Sequence, residues 1–307
     1  MLPAVRETYM TTETTTRRYP FVQLDVFTSR ALEGNQLAVF TDGRGLTDAE
    51  MQALAREMNL SETTFIIPKP ENAAPSDPVR VRIFTVEEEL PFAGHPTLGT
   101  AAVIRGSSGA TQVVLDLRVG HISVTFEDGE EGAFGEMRQR DPEFGSIHLP
   151  EEVAAAVGLR PGDLDPSLPI QTVSTGMGFT MVPVRELKML QKLRLNWSRA
   201  AEYLERTDGK FFYLVSRETV DPEARLHARM IFYNGEDPAT GSAAGCCAAW
   251  MVAHGVAQAG ERALIEQGTE CKRPSRIFVR ADKNGDRVTN VRVGGYCVEV
   301  MRGEVVL

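Results

Sequence analysis

The chain alternates between short segments in which apolar residues recur at every second position and segments in which they recur at a helical spacing. The first pattern predicts strands and the second predicts helices. Predicted strands occupy residues 19–27, 34–40, 59–67, 79–85, 112–117, 121–127, 171–183, 210–216, 275–281 and 288–293, with a terminal hairpin at 296–307. Predicted helices occupy residues 47–58, 151–157, 184–190 and 241–254, and a further helix begins at Gly94. Thr47 and Glu50 have the spacing of a capping box. The pattern therefore predicts a mixture of α and β structure.

One sequence pattern occurs twice, at a constant offset of 147 residues. In each copy a period-two segment leads through a proline and a glycine into an alanine-rich helix. The identical residues are Arg82 and Arg229, Glu89 and Glu236, Pro91 and Pro238, Gly94 and Gly241, Ala101 and Ala248, and Ala102 and Ala249. The repeat predicts two copies of one unit, each with a strand, a glycine turn and a helix N-terminus.

The two predicted helix openings suggest an anion-binding site. The first backbone N–H groups of a helix have no intrahelical partner and carry the positive end of the helix dipole. Two such openings facing one another would bind a small carboxylate or phosphate. Glycine and alanine at these positions also suit close helix packing alone. Because the pattern is duplicated, we favour a cleft shared by the two copies.

The composition allows a large core and argues against several classes of partner. The 307 residues, 42% of them hydrophobic, can form one large core or two of ordinary size. The net charge of -9 argues against nucleic acid or an anionic membrane as a partner. No run of 18 apolar residues predicts a membrane span. Residues 1–18 lack the apolar segment of a signal peptide, and we expect them to form a disordered extension.

The cysteines favour a reduced, cytoplasmic protein. They form neither a C-x-x-C pair nor a zinc-ligand spacing with histidine. The four are Cys246, Cys247, Cys271 and Cys297.

Three motifs carry a family resemblance: NLSETTF at residues 59–65, LPFAGHPTLGTA at 90–101 and EDPATGSAAG at 236–245. With LEGNQLAV at 32–39, STG at 174–176, QG at 267–268 and RPS at 273–275, the sequence resembles the PhzF family of phenazine-biosynthesis isomerases over nearly the whole chain after Arg18. The resemblance implies the α+β fold of diaminopimelate epimerases, with two pseudo-duplicated lobes that each wrap a mixed sheet around a central helix. We expect the first lobe at residues 19–132, the second at 133–295, and a C-terminal strand at 296–307 that returns to the first lobe. Polar, glycine-rich residues at 130–132 mark the expected boundary.

The resemblance also implies an active site between the lobes, in a homodimer that acts on a small anionic metabolite. The catalytic positions of the family fall on Glu62, which would transfer the proton, and on His95, Asp237 and Ser242. Backbone amides at Gly94, Gly241 and Ala243 would bind the substrate. No cofactor and no metal is expected, since proton transfer requires neither.

Physical chemistry supports these roles, although each residue also has an ordinary structural interpretation. Shielding of Glu62 by Phe65 and the apolar residues 90–92 would raise its pKa toward the working pH. His95 and Asp237 would hold the amino or hydroxyl groups of the substrate. Taken alone, Glu62 would be interpreted as a solvated residue after a helix. Asp237 and Ser242 would be interpreted as helix caps. His95 would be interpreted as a hydrogen-bond partner of a nearby carbonyl.

Several functions stay open at this point. Racemases of the same fold use two thiols at the helix openings, where this chain has Gly94 and Gly241, so one carboxylate acting on a single face is favoured. Cys246 and Cys247 fall inside the second helix and fit packing residues. Gln36 replaces a proline usual in the family, and the segment between Arg229 and Glu236 is short. An isomerase related to trans-2,3-dihydro-3-hydroxyanthranilate isomerase is therefore the first hypothesis. An epimerase or hydrolase of another small amino or hydroxy acid, or a non-catalytic metabolite-binding protein, are the alternatives.

Overall fold

The computed structural model describes residues 16–70, 72–74, 77–232 and 235–307. The strands are β1 (Arg18–Val26), β2 (Asn35–Phe40), β3 (Glu62–Ile67), β4 (Val79–Phe84), β5 (Glu89–Leu90), β6 (Gln112–Leu117), β7 (Gly120–Gly129), β8 (Gly132–Arg138), β9 (Glu143–Ile147), β10 (Gln171–Ser174), β11 (Gly178–Pro183), β12 (Phe211–Ser216), β13 (Ala224–Phe232), β14 (Gly235–Asp237), β15 (Ala263–Gln267), β16 (Ser275–Asn284), β17 (Arg287–Gly295) and β18 (Cys297–Val306). The helices are α1 (Asp48–Met58), α2 (Gly94–Ser108), α3 (Pro150–Val157), α4 (Leu187–Lys192), α5 (Trp197–Leu204) and α6 (Gly241–Ala253), with a 3-10 turn at Pro161–Asp163.

Strand pairing divides the described chain into two halves that are joined through one strand pair. The first half has the strand order β18, β1, β2, β3, β4, β6, β7, β8, and it contains both parallel and antiparallel pairs. The second has the order β17, β16, β15, β13, β12, β11, β10, β9, and it is likewise mixed. Antiparallel pairing of β8 with β17 joins the halves.

Each half wraps around one helix. Helix α2 contacts β1, β2, β3, β6 and β8, whereas α6 contacts β10, β11, β16 and β17. In α6 the buried residues include Cys246 and Cys247, which are fully buried and pack in the main core. Small residues let the surrounding strands approach this helix closely on all sides. The expected α+β architecture, with two lobes that each wrap a mixed sheet around a central helix, is confirmed.

The 147-residue repeat corresponds to two copies of one structural unit. In the first copy β4 pairs with β5, with Phe84 opposite Glu89, and in the second β13 pairs with β14, with Ile231 opposite Glu236. Arg82 donates to the Glu89 carboxylate from Nε at 2.8 Å and from Nη2 at 2.7 Å, and Arg229 contacts Glu236 with the same two distances. The duplicated arginine and glutamate therefore form the same bidentate pair. In both copies the central helix begins at the repeated glycine.

Local signals located some elements well. Helix α1 begins after Thr47, whose side chain accepts from the Glu50 amide at 3.2 Å while the Glu50 carboxylate accepts from the Thr47 amide at 2.8 Å. The predicted capping box is therefore confirmed.

Among the described residues, no helix is both long and apolar enough to cross a membrane.

Other expectations need correction. The segment 296–307 forms no hairpin of its own, because β18 is one strand that pairs along its whole length with β1 in the first half. Strand β1 already begins at Arg18, and the Arg17 backbone pairs with Leu307. The rest of the expected extension, residues 1–15, lies outside the described residues. The expected boundary at 130–132 is the turn of the β7–β8 hairpin, and β8 pairs with strands of both halves.

The predicted helix at 184–190 begins later, at Leu187, because Val184 forms a bridge with Leu164. The pattern did not predict β5, β8, β9, β14, β15 or α5. The segment 171–183, expected as one strand, forms the two antiparallel strands β10 and β11.

Two glycines of α2 allow a test of how tightly the first lobe encloses its helix. A Cβ at Gly99 would lie 2.6 Å from Leu37 Cδ2 and 2.8 Å from Val26 Cγ2, whereas one at Gly106 would meet nothing within 4 Å. Gly99→Ala should therefore lower the free energy of unfolding by roughly 1–3 kcal/mol, because it overpacks the core. Gly106→Ala is the matched control and should raise it by up to about 1 kcal/mol, because alanine favours helix. Urea denaturation measures both values, and equal effects would contradict this packing.

Candidate active site

The N-termini of α2 and α6 meet backbone to backbone. A Cβ at Gly94 would lie 3.2 Å from the Ser242 backbone nitrogen and 3.3 Å from the Gly241 Cα. A Cβ at Gly241 would lie 3.1 Å from the Phe27 ring and 3.6 Å from the Gly94 Cα. The distances of 3.1–3.3 Å are tighter than ordinary for a Cβ, so glycine lets the two helices begin this close without a shift of the neighbouring atoms. The structure therefore brings the two predicted helix openings together at one point between the lobes.

Neither helix opening is capped by a side chain among the described residues. Ala93 precedes α2, and Thr240 precedes α6 without accepting from the helix. The Thr240 hydroxyl instead donates to Asp237 Oδ2 at 2.6 Å. The first amides of α6, at Gly241, Ser242 and Ala243, precede the first amide that bonds within the helix, which is the Ala244 amide to Thr240 O at 2.9 Å. These amides present the partial positive charge of the helix dipole to a ligand.

Glu62 lies in a desolvated position beside this point. It is the first residue of β3, its side chain is 16% exposed, and β3 runs parallel to β2 with Glu62 opposite Leu37. Within the described chain, Oε2 is buried without a hydrogen-bond donor. Burial, together with the nearby Asp237 charge, raises the pKa of Glu62 to about 8. The interpretation of Glu62 as a solvated residue after a helix is therefore wrong.

Phe65 does not provide the shielding that we expected for Glu62. Alternate residues of a strand face opposite sides, and the Phe65 ring packs against Phe40 and Phe84 in the core next to α1. On the other side of β3, the Thr64 hydroxyl hydrogen bonds with that of Thr100 in α2 at 2.8 Å. Glu62 shares the side of Thr64 and is desolvated there, facing the central helix.

His95 is buried with a defined tautomer. Its Nε2 lies 3.3 Å from the backbone oxygen of Gln36, and because a carbonyl can only accept, Nε2 carries the hydrogen. Nδ1 is then an acceptor, 3.5 Å from Glu62 Oε2 and 3.4 Å from the Asn35 amide. Burial lowers the pKa of His95 to about 3, so the ring is neutral. A protonated Glu62 carboxyl would face this lone pair favourably. Gln36 in place of the family's proline retains the carbonyl that orients the ring.

Asp237 differs from Glu62 in being well supplied with donors. Oδ1 accepts from Asn35 Nδ2 at 2.7 Å and Oδ2 accepts from the Thr240 hydroxyl. Burial raises the pKa of Asp237 and these donors lower it, with a net value of about 6. Asp237 is not the N-cap of α6, since Thr240 holds that position. Ser242 is the second residue of α6 and half-buried, so it is no cap either, and Ala243 is fully buried.

Sequence reasoning missed the residues that support Asp237. Gln267 Nε2 donates to Asp237 O at 2.8 Å and to the Thr240 hydroxyl at 3.0 Å, and the Tyr213 hydroxyl donates to Gln267 Oε1 at 2.9 Å. Asn35 and Gln267 belong to the motifs LEGNQLAV and QG, and membership of these motifs was the only sequence indication that they have a functional role. Tyr213 lies in a strand whose apolar pattern predicts core, and it carried no signal of its own.

The arrangement is suited to proton transfer on an anion. Two carboxyl groups with unequal environments lie near two helix N-termini, and such inequality separates an acid or base from a group that stays ionised. Uncapped amides can bind a carboxylate and stabilise negative charge that develops next to it.

Comparison with known proteins agrees with this geometry. The family model for phenazine biosynthesis-like proteins, PhzC-PhzF, matches residues 24–303. The chain belongs to the PhzC-PhzF family. An uncharacterised isomerase of Mesorhizobium japonicum is 38% identical over 303 residues, covering 94% of this chain and 99% of that protein. Trans-2,3-dihydro-3-hydroxyanthranilate isomerase of Pseudomonas chlororaphis is 34% identical over 291 residues, with the same coverage. The protein is thus an enzyme, an isomerase of the PhzF type.

Solved structures extend the comparison beyond the PhzC-PhzF family. A predicted epimerase from Pseudomonas aeruginosa has a TM-score of 0.79 at 37% identity, covering 94% of this chain and 99% of that one. A probable proline racemase from Agrobacterium radiobacter has a TM-score of 0.63 at 11% identity, covering 94% of this chain and 93% of that one. The second likeness shows the fold alone. The family and its fold, as expected from the motifs, are therefore confirmed.

The raised pKa of Glu62 predicts a pH-dependent stability. The unfolded chain loses this proton near the ordinary value of 4.5, whereas the folded chain holds it to about 8. The contribution to stability is therefore fully present below pH 4.5 and is lost as the pH rises to 8. Glu62→Gln stays neutral throughout, so its stability relative to the native protein should rise by roughly 2–4 kcal/mol between pH 5 and pH 8.5.

Urea denaturation at the two pH values measures this difference. Glu57→Gln, at an exposed glutamate of α1, is the matched control and should change stability equally at both. A Glu62→Gln difference that is independent of pH would show that Glu62 is not buried in its protonated form.

Proposed function

We propose that the protein isomerises a small carboxylate-bearing substrate by moving a proton from one carbon to another on a single face, with Glu62 as the proton carrier. The observation that carries the proposal is the buried Glu62 carboxyl, whose Oε2 has no donor in the described chain and which lies near two uncapped helix N-termini. The names of the relatives direct the choice of substrate toward trans-2,3-dihydro-3-hydroxyanthranilate and compounds like it.

In the proposed reaction, ionised Glu62 takes a proton from a C–H bond of the substrate. The electron pair left behind is delocalised through the adjacent double bond toward the carboxylate. Glu62 then returns the same proton to a second carbon, and the double bond shifts without any net gain or loss of atoms. A pKa of about 8 gives Glu62 the basicity for the first step and leaves an ionised fraction at neutral pH.

The helix openings would hold the substrate carboxylate. Amides of Gly241, Ser242 and Ala243, opposed by those at Gly94, supply donors that no side chain occupies in the described structure. Charge that develops on the substrate during transfer would lie against these donors. Asp237 and His95 then face the amino or hydroxyl end of the substrate, and the Ser242 hydroxyl would add a further donor.

Single-face transfer is favoured over two-base racemisation by the residues at the helix openings. Gly94 and Gly241 offer no nucleophile or base, and Cys246 and Cys247 are fully buried inside α6. Burial also raises the pKa of Cys246 to about 11, so its thiol stays protonated at neutral pH. Two alternatives remain: an epimerase or hydrolase of another small amino or hydroxy acid, and a binding protein without catalysis. Each would give a different result in the turnover experiment below. We further propose that the protein is a homodimer, which analytical ultracentrifugation can test, and that it is cytoplasmic, which cell fractionation can test.

Replacing Glu62 by glutamine should strongly reduce turnover while leaving binding intact. With trans-2,3-dihydro-3-hydroxyanthranilate in deuterated water, the native enzyme should form product, and kcat for Glu62→Gln should fall by roughly 10²–10⁴-fold because the base is lost. The affinity for the substrate should change little. Product analysis by mass spectrometry and proton NMR measures both turnover and deuterium content.

Exposed Glu57→Gln serves as the matched control and should keep native turnover. Unchanged turnover in Glu62→Gln would disprove the assigned role. Inverted stereochemistry would identify an epimerase and cleavage products a hydrolase. Binding by the native protein with neither product formation nor deuterium exchange would identify a non-catalytic relative.

The substrate carboxylate should account for much of the affinity. A carboxamide analogue keeps the shape but loses the charge, and hydrogen bonds to charged groups are the stronger ones. We therefore expect its Kd to be roughly 10–100-fold higher than that of the carboxylate, measured by isothermal titration calorimetry. The preference should persist in Glu62→Gln. Equal affinities, or a crystal structure with the carboxylate far from Gly94 and Gly241, would contradict the binding mode.

A further inference from the structure

Asn35 connects the two lobes inside the candidate site. It is the first residue of β2 and 2% exposed. Its Nδ2 donates to Asp237 Oδ1 at 2.7 Å and to Ala239 O at 2.9 Å. Asn35 belongs to the first lobe, whereas both acceptors belong to the second. The same nitrogen lies 3.4 Å from His95 Nδ1.

The two hydrogens of this amide group are committed to the second lobe. An asparagine nitrogen has two N–H bonds, and the two nearer acceptors are Asp237 and Ala239. His95 Nδ1 is the more distant third acceptor and keeps its lone pair available toward Glu62 Oε2, 3.5 Å away. Asn35 thus supports Asp237 without taking up the acceptor that faces Glu62.

The backbone in front of Asn35 is fixed by the second lobe. Arg273 donates to Gly34 O at 2.9 Å and to Glu33 O at 2.6 Å, and it forms an ion pair with the buried Asp25. Gly34 N donates to Pro274 O at 2.9 Å. Gly34 has a φ of 68°, and a Cβ there would lie 2.4 Å from Val26 O. The Asn35 side chain is therefore presented to Asp237 from a constrained position.

The two carboxyl groups of the site are distinguished mainly by their donors. Glu62 and Asp237 are close enough for the charge of one to raise the proton affinity of the other. Asp237 has Asn35 and Thr240 as side-chain donors, whereas Glu62 Oε2 has none in the described chain. Hydrogen bonds to the charged form favour that form, so the first negative charge goes to Asp237.

We propose that Asn35 is a positioning residue that holds Asp237 in place as the ionised carboxylate and thereby makes Glu62 the stronger base. The proposal rests on the proposed function for its catalytic meaning, but the ionisation order that it assigns can be measured without any substrate. Loss of the Asn35 donor should make Asp237 easier to protonate. Neutral Asp237 would no longer repel a charge on Glu62, which would then bind its proton less tightly.

Other titratable groups around Asp237 do not interfere with this measurement. Burial holds the pKa of His95 near 3, raises that of Cys271 to about 11 and raises that of Tyr213 well above its ordinary value. All three are therefore neutral between pH 5 and pH 9. On the strand of Asp237, Glu236 is paired with Arg229. Glu62 and Asp237 are thus the groups of this cluster that change charge in that range.

The test is a carbon-13 NMR titration of protein labelled at the side-chain carboxyl carbons of Asp and Glu. Asp237→Asn and Glu62→Gln assign the two resonances. In Asn35→Leu we expect the Asp237 midpoint to rise by about one pH unit and the Glu62 midpoint to fall. A purely structural role would admit water to the site, and both midpoints would then fall toward their ordinary values. The opposite movement of the two midpoints is therefore the distinguishing result.

Thr64→Val is the matched control, since it removes a buried hydrogen bond of β3 to α2 without touching either carboxyl. Both midpoints should stay at their native values in it. If Asn35→Leu does not fold, Asn35→Asp keeps the shape and loses both donors, and a carboxyl of the resulting pair should titrate above the native Asp237 midpoint.

An unchanged Asp237 midpoint in a folded variant, or both midpoints falling together, would overturn the proposal. Where the native protein turns over the substrate, kcat of Asn35→Leu should fall by at least about tenfold with a smaller change in KM. If the native protein forms no product, the proposed substrate is wrong, whereas the titration still decides the role of Asn35.

Discussion

The direct contact between the N-termini of α2 and α6 is the constraint on which the rest of the structure depends. Gly94 and Gly241 lie so close that a Cβ on the first would come within 3.2 Å of the backbone of the second helix. Each of these helices is enclosed by the strands of its own half, and the β8–β17 pair joins the two halves. The paired strands can thus be understood as the scaffold that holds the positive ends of two helix dipoles against each other.

That contact has an electrostatic cost that the acidic side chains offset. Two positive helix ends that face one another repel, and neither is capped by a side chain in the described chain. An ionised Asp237 places negative charge near this point and is itself held by Asn35 and Thr240. One negative charge offsets the helix ends, but a second on Glu62 would find no donor at Oε2 within the described chain. The site therefore favours one ionised and one protonated carboxyl.

The sequence predicted what depends on local pattern and on the repeat, and it missed what depends on partners distant in the chain. The capping box of α1 and the start of both central helices involve neighbouring residues, so they were predictable. Exposed β9 has no apolar face to reveal it, and the unpredicted β8 pairs with β17, which is distant in the chain. Asn35 and Gln267 act through residues more than 25 positions away, so spacing along the chain gave no indication of their role.

The duplicated unit is symmetric in its backbone and asymmetric in its chemistry. The strand pairs align Asp237 with Leu90, since Met230 lies opposite Asp237 just as Ile83 lies opposite Leu90. At the 147-residue offset, Ser242 likewise corresponds to His95, and Thr240 to Ala93. The Asp237 carboxylate and the Thr240 hydroxyl at the second helix opening thus have apolar counterparts at the first, whereas Ser242 has the imidazole of His95. Glu62 comes from β3, outside the repeated segment. Phe65 lies opposite Arg82 just as Leu214 lies opposite Arg229, so the strand register places Phe211 at the position of Glu62. Since racemisation needs a base on each face, a fold that has duplicated its helix openings but not its acids is suited to chemistry on one face.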